Sequence, residues 1–197
     1  LRVGRVEVAV DEIFTPREVA AASGPNRLLR VWMNRLHVDT RTWVIRQELL
    51  FAPGEPFDPA RLAETERNLR RLGYLTDVEV VPVDTTRAGE VTVAVWARET
   101  WTLSTNLSFT LASDGTVTWN ASLTEKNFLG YGVLLSGTVG QDQDATYGRL
   151  TFEQSRFLRS PLDLRLSLDT RSDGHDYRLQ LGRPFREDAQ SWAARAF

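Results

Sequence analysis

Cysteine is absent from the 197-residue chain. That excludes structural disulfides, cysteine metal sites and thiol catalysis. Lysine is nearly absent: Lys126 stands alone, and every other basic side chain is an arginine. The two histidines, His37 and His175, lie in different halves of the chain. They lack ligand spacing to each other, so surface or hydrogen-bonded roles are expected and no metal site. No run approaches the roughly 18 apolar residues of a transmembrane helix. No signal peptide opens the chain: Leu1–Val10 already reads as a strand, so a secreted form would have been trimmed or would be a fragment. Charge of one sign is also missing. Lys and Arg total 24 against 26 Asp and Glu, for a net charge of −2. The basic residues form no stripe, which argues against nucleic-acid binding. Asp and Glu are plentiful, yet no pair has a reason to meet in a cleft. No nucleophile stands beside a base, so no enzyme activity, catalytic residue or cofactor is expected.

What is present changes style near Glu99. Before it, helix-like and strand-like patterns mix. Arg5–Ile13 reads as a strand. Thr15 and Pro16 look like a helix cap and first turn, and Ser23-Gly24-Pro25-Asn26 like a turn. Val44, Ile45, Glu48 and Leu49 fall at helical spacing over residues 42–51, with Asp39 and Thr40 as candidate caps. The Pro-Gly-rich run 52–56 ends that helix. Asp58 and Pro59 start another, whose buried stripe is Leu62, Thr65, Leu69 and Leu72 and whose C′ residue is Gly73. Glu64, Glu66, Arg67, Arg70 and Arg71 are expected on its solvated face as pairs of opposite sign. Leu75–Val83 and Glu90–Arg98 follow as strands, joined by a turn over 84–89. Two helices on a three-stranded sheet make a reasonable small α+β domain.

After Glu99 nearly everything has period two. Trp101, Leu103, Leu107, Phe109 and Leu111 alternate with Thr and Ser. The rule repeats through Val117–Leu123, Val133–Val139, Leu162–Leu168 and Tyr177–Leu181, and more faintly through Tyr147–Phe157. About six strands of about ten residues match the start of a transmembrane barrel. A soluble antiparallel sheet with one face on a core gives the same alternation. Strand length, and the lack of any intervening helix, favour the barrel. Six strands do not close one, since closed barrels begin at about eight. The sequence is therefore expected to stop inside the barrel, and 189–197 shows no strand pattern. Gln141-Asp142-Gln143-Asp144 reads as a hairpin turn rather than a metal loop. Gly130 and Gly132 read as a tight turn, because no helix follows to make a phosphate site.

Two motifs carry a family resemblance. Residues 40–51 (TRTWVIRQELLF), 53–58 (PGEPFD) and 62–75, ending in Leu72-Gly73-Tyr74-Leu75, resemble a POTRA domain of the BamA/TamA-type outer-membrane assembly superfamily. Leu75 stands where Phe is common. Glu125–Gly132, with Asn127, Gly130 and Gly132, resembles the turn that joins early barrel strands in that family. The resemblance implies a β-α-α-β-β POTRA domain over 1–98, with 11–38 as an extended connection. The first strands of an incomplete outer-membrane β-barrel would then occupy 99–197. It implies a Gram-negative outer membrane, with the POTRA domain in the periplasm. Its partners would be unfolded outer-membrane or secreted clients, the lipid bilayer and periplasmic accessory proteins. A two-partner secretion transporter or a barrel anchor for export are close variants. A soluble β-rich binding module is the alternative of another class.

Two places are candidate sites on this reading. Asp77, Val78, Glu79, Val80 and Val81 form a strand expected at a sheet edge, where an extended client could add as a further strand. The same edge could equally be only protected, by Glu79, Pro82 and Asp84. The resemblance implies that the strand carrying Trp101, Leu103, Leu107 and Phe109 borders the barrel's closing seam, the expected entry point of client strands.

Overall fold

A computed structural model describes residues 1–113, 115–185 and 193–196. The chain divides into two compact units, with the boundary after Trp101.

The first unit holds strand β1 (Arg2–Asp11), helices α1 (Pro16–Ala21), α2 (Gly24–Leu36), α3 (Thr42–Arg46) and α4 (Pro59–Arg71), and strands β2 (Leu75–Thr85) and β3 (Glu90–Glu99). The sheet order is β1-β3-β2, with β1 parallel and β2 antiparallel to the central β3. Central β3 is the most apolar strand: Val91, Val93, Val95 and Ala97 alternate into the core, while Trp96 on the other face is exposed. Its Val91, Val93 and Val95 meet Val3 and Val6 of β1, Val78 and Val80 of β2, and Ile45, Leu62 and Leu69 of the helices in one core.

Local chemistry sets the helix ends. Asp58 caps α4, its Oδ1 accepting from the Ala60 amide at 2.9 Å. Gly73, at φ 74°, takes the left-handed turn beyond it that a side chain would disfavour. Thr15 and Glu18 form a reciprocal capping box on α1. Three expectations change here. The Ser23–Asn26 turn is the start of α2, a 13-residue helix inside the expected extended connection. Its Gly-Pro pair sits in the first helical turn, where a missing amide costs nothing. Helix α3 ends at Arg46 instead of reaching Phe51, and neither Asp39 nor Thr40 caps it. Glu64 is buried rather than solvated.

The second unit is a single antiparallel sheet of seven strands among the described residues: β4 (Leu103–Leu111), β5 (Val117–Glu125), β6 (Val133–Gln141), β7 (Thr146–Gln154), β8 (Asp163–Arg171), β9 (Gly174–Arg183) and β10 (Ala194–Ala196). They lie in chain order, so each strand pairs with its sequence neighbours. The ladder is not closed. Trp101 precedes β4 instead of belonging to it, and β10 is a short strand in a stretch where none was expected. Residues 189–192 and 197 lie outside the described residues.

Candidate functional site

Strand β2 lies at the sheet edge, paired only with β3. The side chains of Val78 and Val80 enter the core, while Asp77 and Glu79 are exposed. The register with β3 slips between Thr76 and Glu79, where Asp77 takes a left-handed φ of 48°. A second slip follows Pro82. Both bulges bend the edge, a common way of limiting unwanted pairing.

The outward backbone of β2 is not bare. Arg70 Nη2 donates to the Val78 carbonyl at 2.7 Å, and Glu66 accepts from the Val80 amide at 3.2 Å. The two side chains are themselves paired at 2.7 Å, one turn apart on α4. Together they supply a donor and an acceptor to the groups flanking Glu79. A parallel strand placed against this edge would offer the same two groups at the same place. Sequence reasoning saw Glu66 and Arg70 only as a local helical pair. Their i,i+4 spacing carries no sign of the strand beyond.

A second polar cluster is buried. The Nε2 of His37 hydrogen-bonds Glu99, the last residue of β3, and the Thr40 amide donates to the other Glu99 oxygen. Burial pushes the Glu99 carboxyl above the usual carboxylate range, outweighing the opposing effects of the Thr40 amide and His37. Burial, helped by the charges of Glu48 and Glu99, likewise raises the Tyr74 phenol well above its ordinary value. His37, Asp39 and Glu99 bring ligand-type atoms within 4.8 Å of one another. Both Glu99 oxygens are already engaged in hydrogen bonds, so the arrangement is that of a structural tie between the segment at 37–40 and the end of β3.

The seven-stranded sheet has two unlike faces. Cross-strand register puts Leu107, Ala121 and Val139 on one line, and Leu123, Gly137, Leu150, Leu168 and Tyr177 on the next, all on the same face. Phe109 and Leu179 lie on that face too. These side chains stand open, with Leu107 80% and Phe109 68% exposed. The opposite face carries Ser, Thr, Asn and paired charges. Arg149 meets Asp169 at 2.5 Å, Arg165 meets Glu153 at 3.2 Å, and the Thr124 and Ser136 hydroxyls lie 2.7 Å apart. Here Thr151, Ser167 and Asp169 are buried beneath their neighbours. The polar face is thus internally satisfied, and the apolar face is uncovered among the described residues. A water-soluble sheet requires the reverse.

Leu103, Leu107 and Phe109 lie on β4, the outermost strand at one end of the sheet, whereas Trp101 does not. Asn127, Gly130 and Gly132 come together in the turn between β5 and β6. Asn127 Oδ1 accepts from the Gly132 amide at 2.7 Å, and Gly130 and Gly132 take φ of 73° and 65°. The Phe128–Gly130 turn has a counterpart at Phe157–Arg159 between β7 and β8, with Leu129 and Leu158 both at φ 53°. At the other end of the sheet, Asp142 Oδ1 accepts from the Asp144 and Ala145 amides, and Arg171 grips both carboxylate oxygens. That makes residues 142–145 a tied hairpin turn between β6 and β7.

Comparison with known proteins agrees with these two architectures. Residues 37–98 match the family model described as POTRA, surface antigen variable number repeat. No curated protein matches the sequence. Among solved structures, BamA from Haemophilus ducreyi, in a form lacking POTRA domains 1–3, is similar at a TM-score of 0.59 and 18% identity, over 91% of this chain and 31% of that one. CdiB from Acinetobacter baumannii is similar at a TM-score of 0.52 and 14% identity, over 92% of this chain and 34% of that one. The chain therefore spans about a third of each of these structures. It carries a POTRA domain, followed by an open antiparallel sheet with the fold seen in the BamA and CdiB structures.

Proposed function

We propose that the chain acts in outer-membrane protein insertion or protein translocation. The sheet of β4–β10 forms part of a transmembrane barrel whose apolar face meets lipid. The POTRA domain lies in the periplasm and receives extended client segments along β2. No cofactor and no covalent step are needed: backbone pairing supplies the affinity, and the fold supplies the template.

The observation that carries this reading is the open apolar face opposite a satisfied polar face. A barrel wall needs that arrangement, with lipid outside and water within. Client capture rests on the edge position of β2 and on its outward backbone groups. Glu66 and Arg70 hold those groups until a strand replaces them. The edge is then neither free nor permanently blocked, but closed by two side chains on flexible stems.

The test uses the full chain in detergent micelles and an extended, unstructured peptide bearing a fluorophore. Glu66→Ala with Arg70→Ala is expected to tighten peptide binding, because the competing side chains are gone. Binding that is absent in both proteins overturns capture at β2. Binding that weakens in the double variant shows that the pair contacts the client directly instead of standing in for it. Solubility as a cooperative monomer in plain buffer, with Leu107 and Phe109 protected from collisional quenchers, overturns the barrel and favours a soluble β-rich module.

A further inference from the structure

Helix α2 is inside out. Arg27, Arg30 and Asn34 recur at helical spacing along one side, while Leu28, Leu29, Trp32 and Leu36 line the other. On a water-soluble domain the second side would face the core. Here the polar side is the one tied to the protein. The Asn34 side-chain amide donates to Glu12 at 2.5 Å and to the Phe14 carbonyl at 2.7 Å, and its oxygen accepts from the Phe14 amide at 3.1 Å. Arg30 donates to the Glu18 carbonyl at 2.7 Å and lies over the Phe14 ring at 5.1 Å. No residue of α2 is buried. Leu28 and Leu36 are each 63% exposed, Leu29 58% and Trp32 56%. Three hydrogen bonds from Asn34 and two contacts from Arg30 fix this orientation, so the outward apolar side is built in rather than incidental.

Charge names the cover. No acidic residue occurs between Glu18 and Asp39, and Arg27, Arg30 and Arg35 all lie in α2. This local excess of positive charge sits in a chain whose net charge is −2. A convex helix side of Leu and Trp, rimmed by arginine and free of carboxylates, has the chemistry of an interfacial helix on an anionic bilayer. A protein groove would accept the apolar side but would not require the surrounding acid-free stretch. We infer that α2 docks on the surface of a bilayer containing phosphatidylglycerol, with Leu28, Leu29, Trp32 and Leu36 entering the acyl boundary. The inference rests on the reading of the sheet as a membrane barrel, which brings the chain to a bilayer.

The absence of cysteine makes the test clean. Leu29→Cys and, as a second position, Leu36→Cys each accept an environment-sensitive fluorophore. Leu107→Cys carries the same probe on the barrel face. The full chain is reconstituted into vesicles of phosphatidylethanolamine and phosphatidylglycerol containing brominated acyl chains. The probe at either helix position is expected to shift to the blue and lose emission to the bromolipid. In Arg27→Gln with Arg35→Gln, the phosphatidylglycerol fraction needed for half of that loss is expected to rise. A quenched probe at 107 with unquenched probes at 29 and 36 overturns the docking and leaves the barrel standing. Quenching at 29 or 36 without quenching at 107 supports docking and removes the barrel. No quenching at any position overturns both. A blue shift that grows with chain concentration in the absence of lipid assigns the helix side to a second copy and overturns bilayer docking.

Discussion

The two units bury their side chains in opposite ways. In the first, Ile45, Leu69 and the valines of β3 are removed from water, and exposed charges surround them. In the second, small polar residues such as Ser167 and Thr151 are covered, and leucines stand open. Both obey the same period-two rule along their strands. On the proposed reading, the difference is the solvent each was built for: the first unit carries its own apolar medium inside, while the second would take its apolar medium from outside. Alternation alone reports that a strand has two faces. Only the partners of each face show which one is the interior.

The largest effect expected from breaking this contrast is in the first unit's core. Leu69→Ala should destabilise that unit by about 2–5 kcal/mol, since a fully buried leucine leaves a cavity. The check is a denaturant melt followed by near-ultraviolet circular dichroism. The same truncation at open Leu107, outside that core, should leave the first unit's melt unchanged.

Next comes a charge on the open apolar face. Leu150→Arg should cost the micelle-folded sheet about 2–4 kcal/mol if that position lies near mid-bilayer. On the polar face, Ser108→Arg, opposite Asn120, should be nearly neutral. Urea titration of both variants in micelles measures the difference, and equal costs on the two faces would refute the assignment of sides.

A smaller effect concerns the tie at Glu99. His37→Ala leaves the buried Glu99 carboxyl short of one hydrogen-bond partner, at a cost of about 1–3 kcal/mol. The pH dependence has a defined sign. Burial raises the folded-state affinity of Glu99 for its proton above that of the unfolded chain, whose ordinary value is 4.5. This contribution favours folding fully below that value and is lost as pH rises through the raised folded value. Glu99→Gln should flatten that part of the stability profile. A Glu99→Gln profile identical to the parent's would show that the carboxyl does not titrate with folding.

The smallest effect tests the frame of the first unit. Asp58→Ala removes the α4 cap and should cost about 1 kcal/mol. Asp58→Ser should restore most of it.

How much of this was legible depended on the range of the interaction. The Asp58–Pro59 start, the Gly73 stop and the alternation from Leu103 onward are local, and the sequence displays them directly. Helix α2 is hidden in the sequence because Gly24-Pro25 has turn composition, and because a helix that buries nothing gives no core stripe to contradict the turn. The His37–Glu99 tie spans 62 residues, and no spacing rule reaches that far. Glu66 and Arg70 were visible as a pair, but their object, the backbone of β2, enters only when α4 lies across the sheet. Trp101 was assigned to a strand because it continues the alternation, although pairing starts at Leu103.

The registers of the two sheets differ in one more respect. Those of the first unit slip three times, once between β1 and β3 and twice between β2 and β3. From β4 to β9 every paired row advances without interruption. Each strand is also joined to the next by its own short turn, so loop closure is local at every step. Such a ladder can be extended one neighbouring strand at a time. Each hairpin that docks satisfies one exposed row of amides and carbonyls and presents another. The number of open rows then stays at two while the sheet lengthens, and the energetic burden of being unfinished does not grow with size. A wall built this way can be assembled strand by strand from one end, with the boundary between finished and unfinished always a single strand wide.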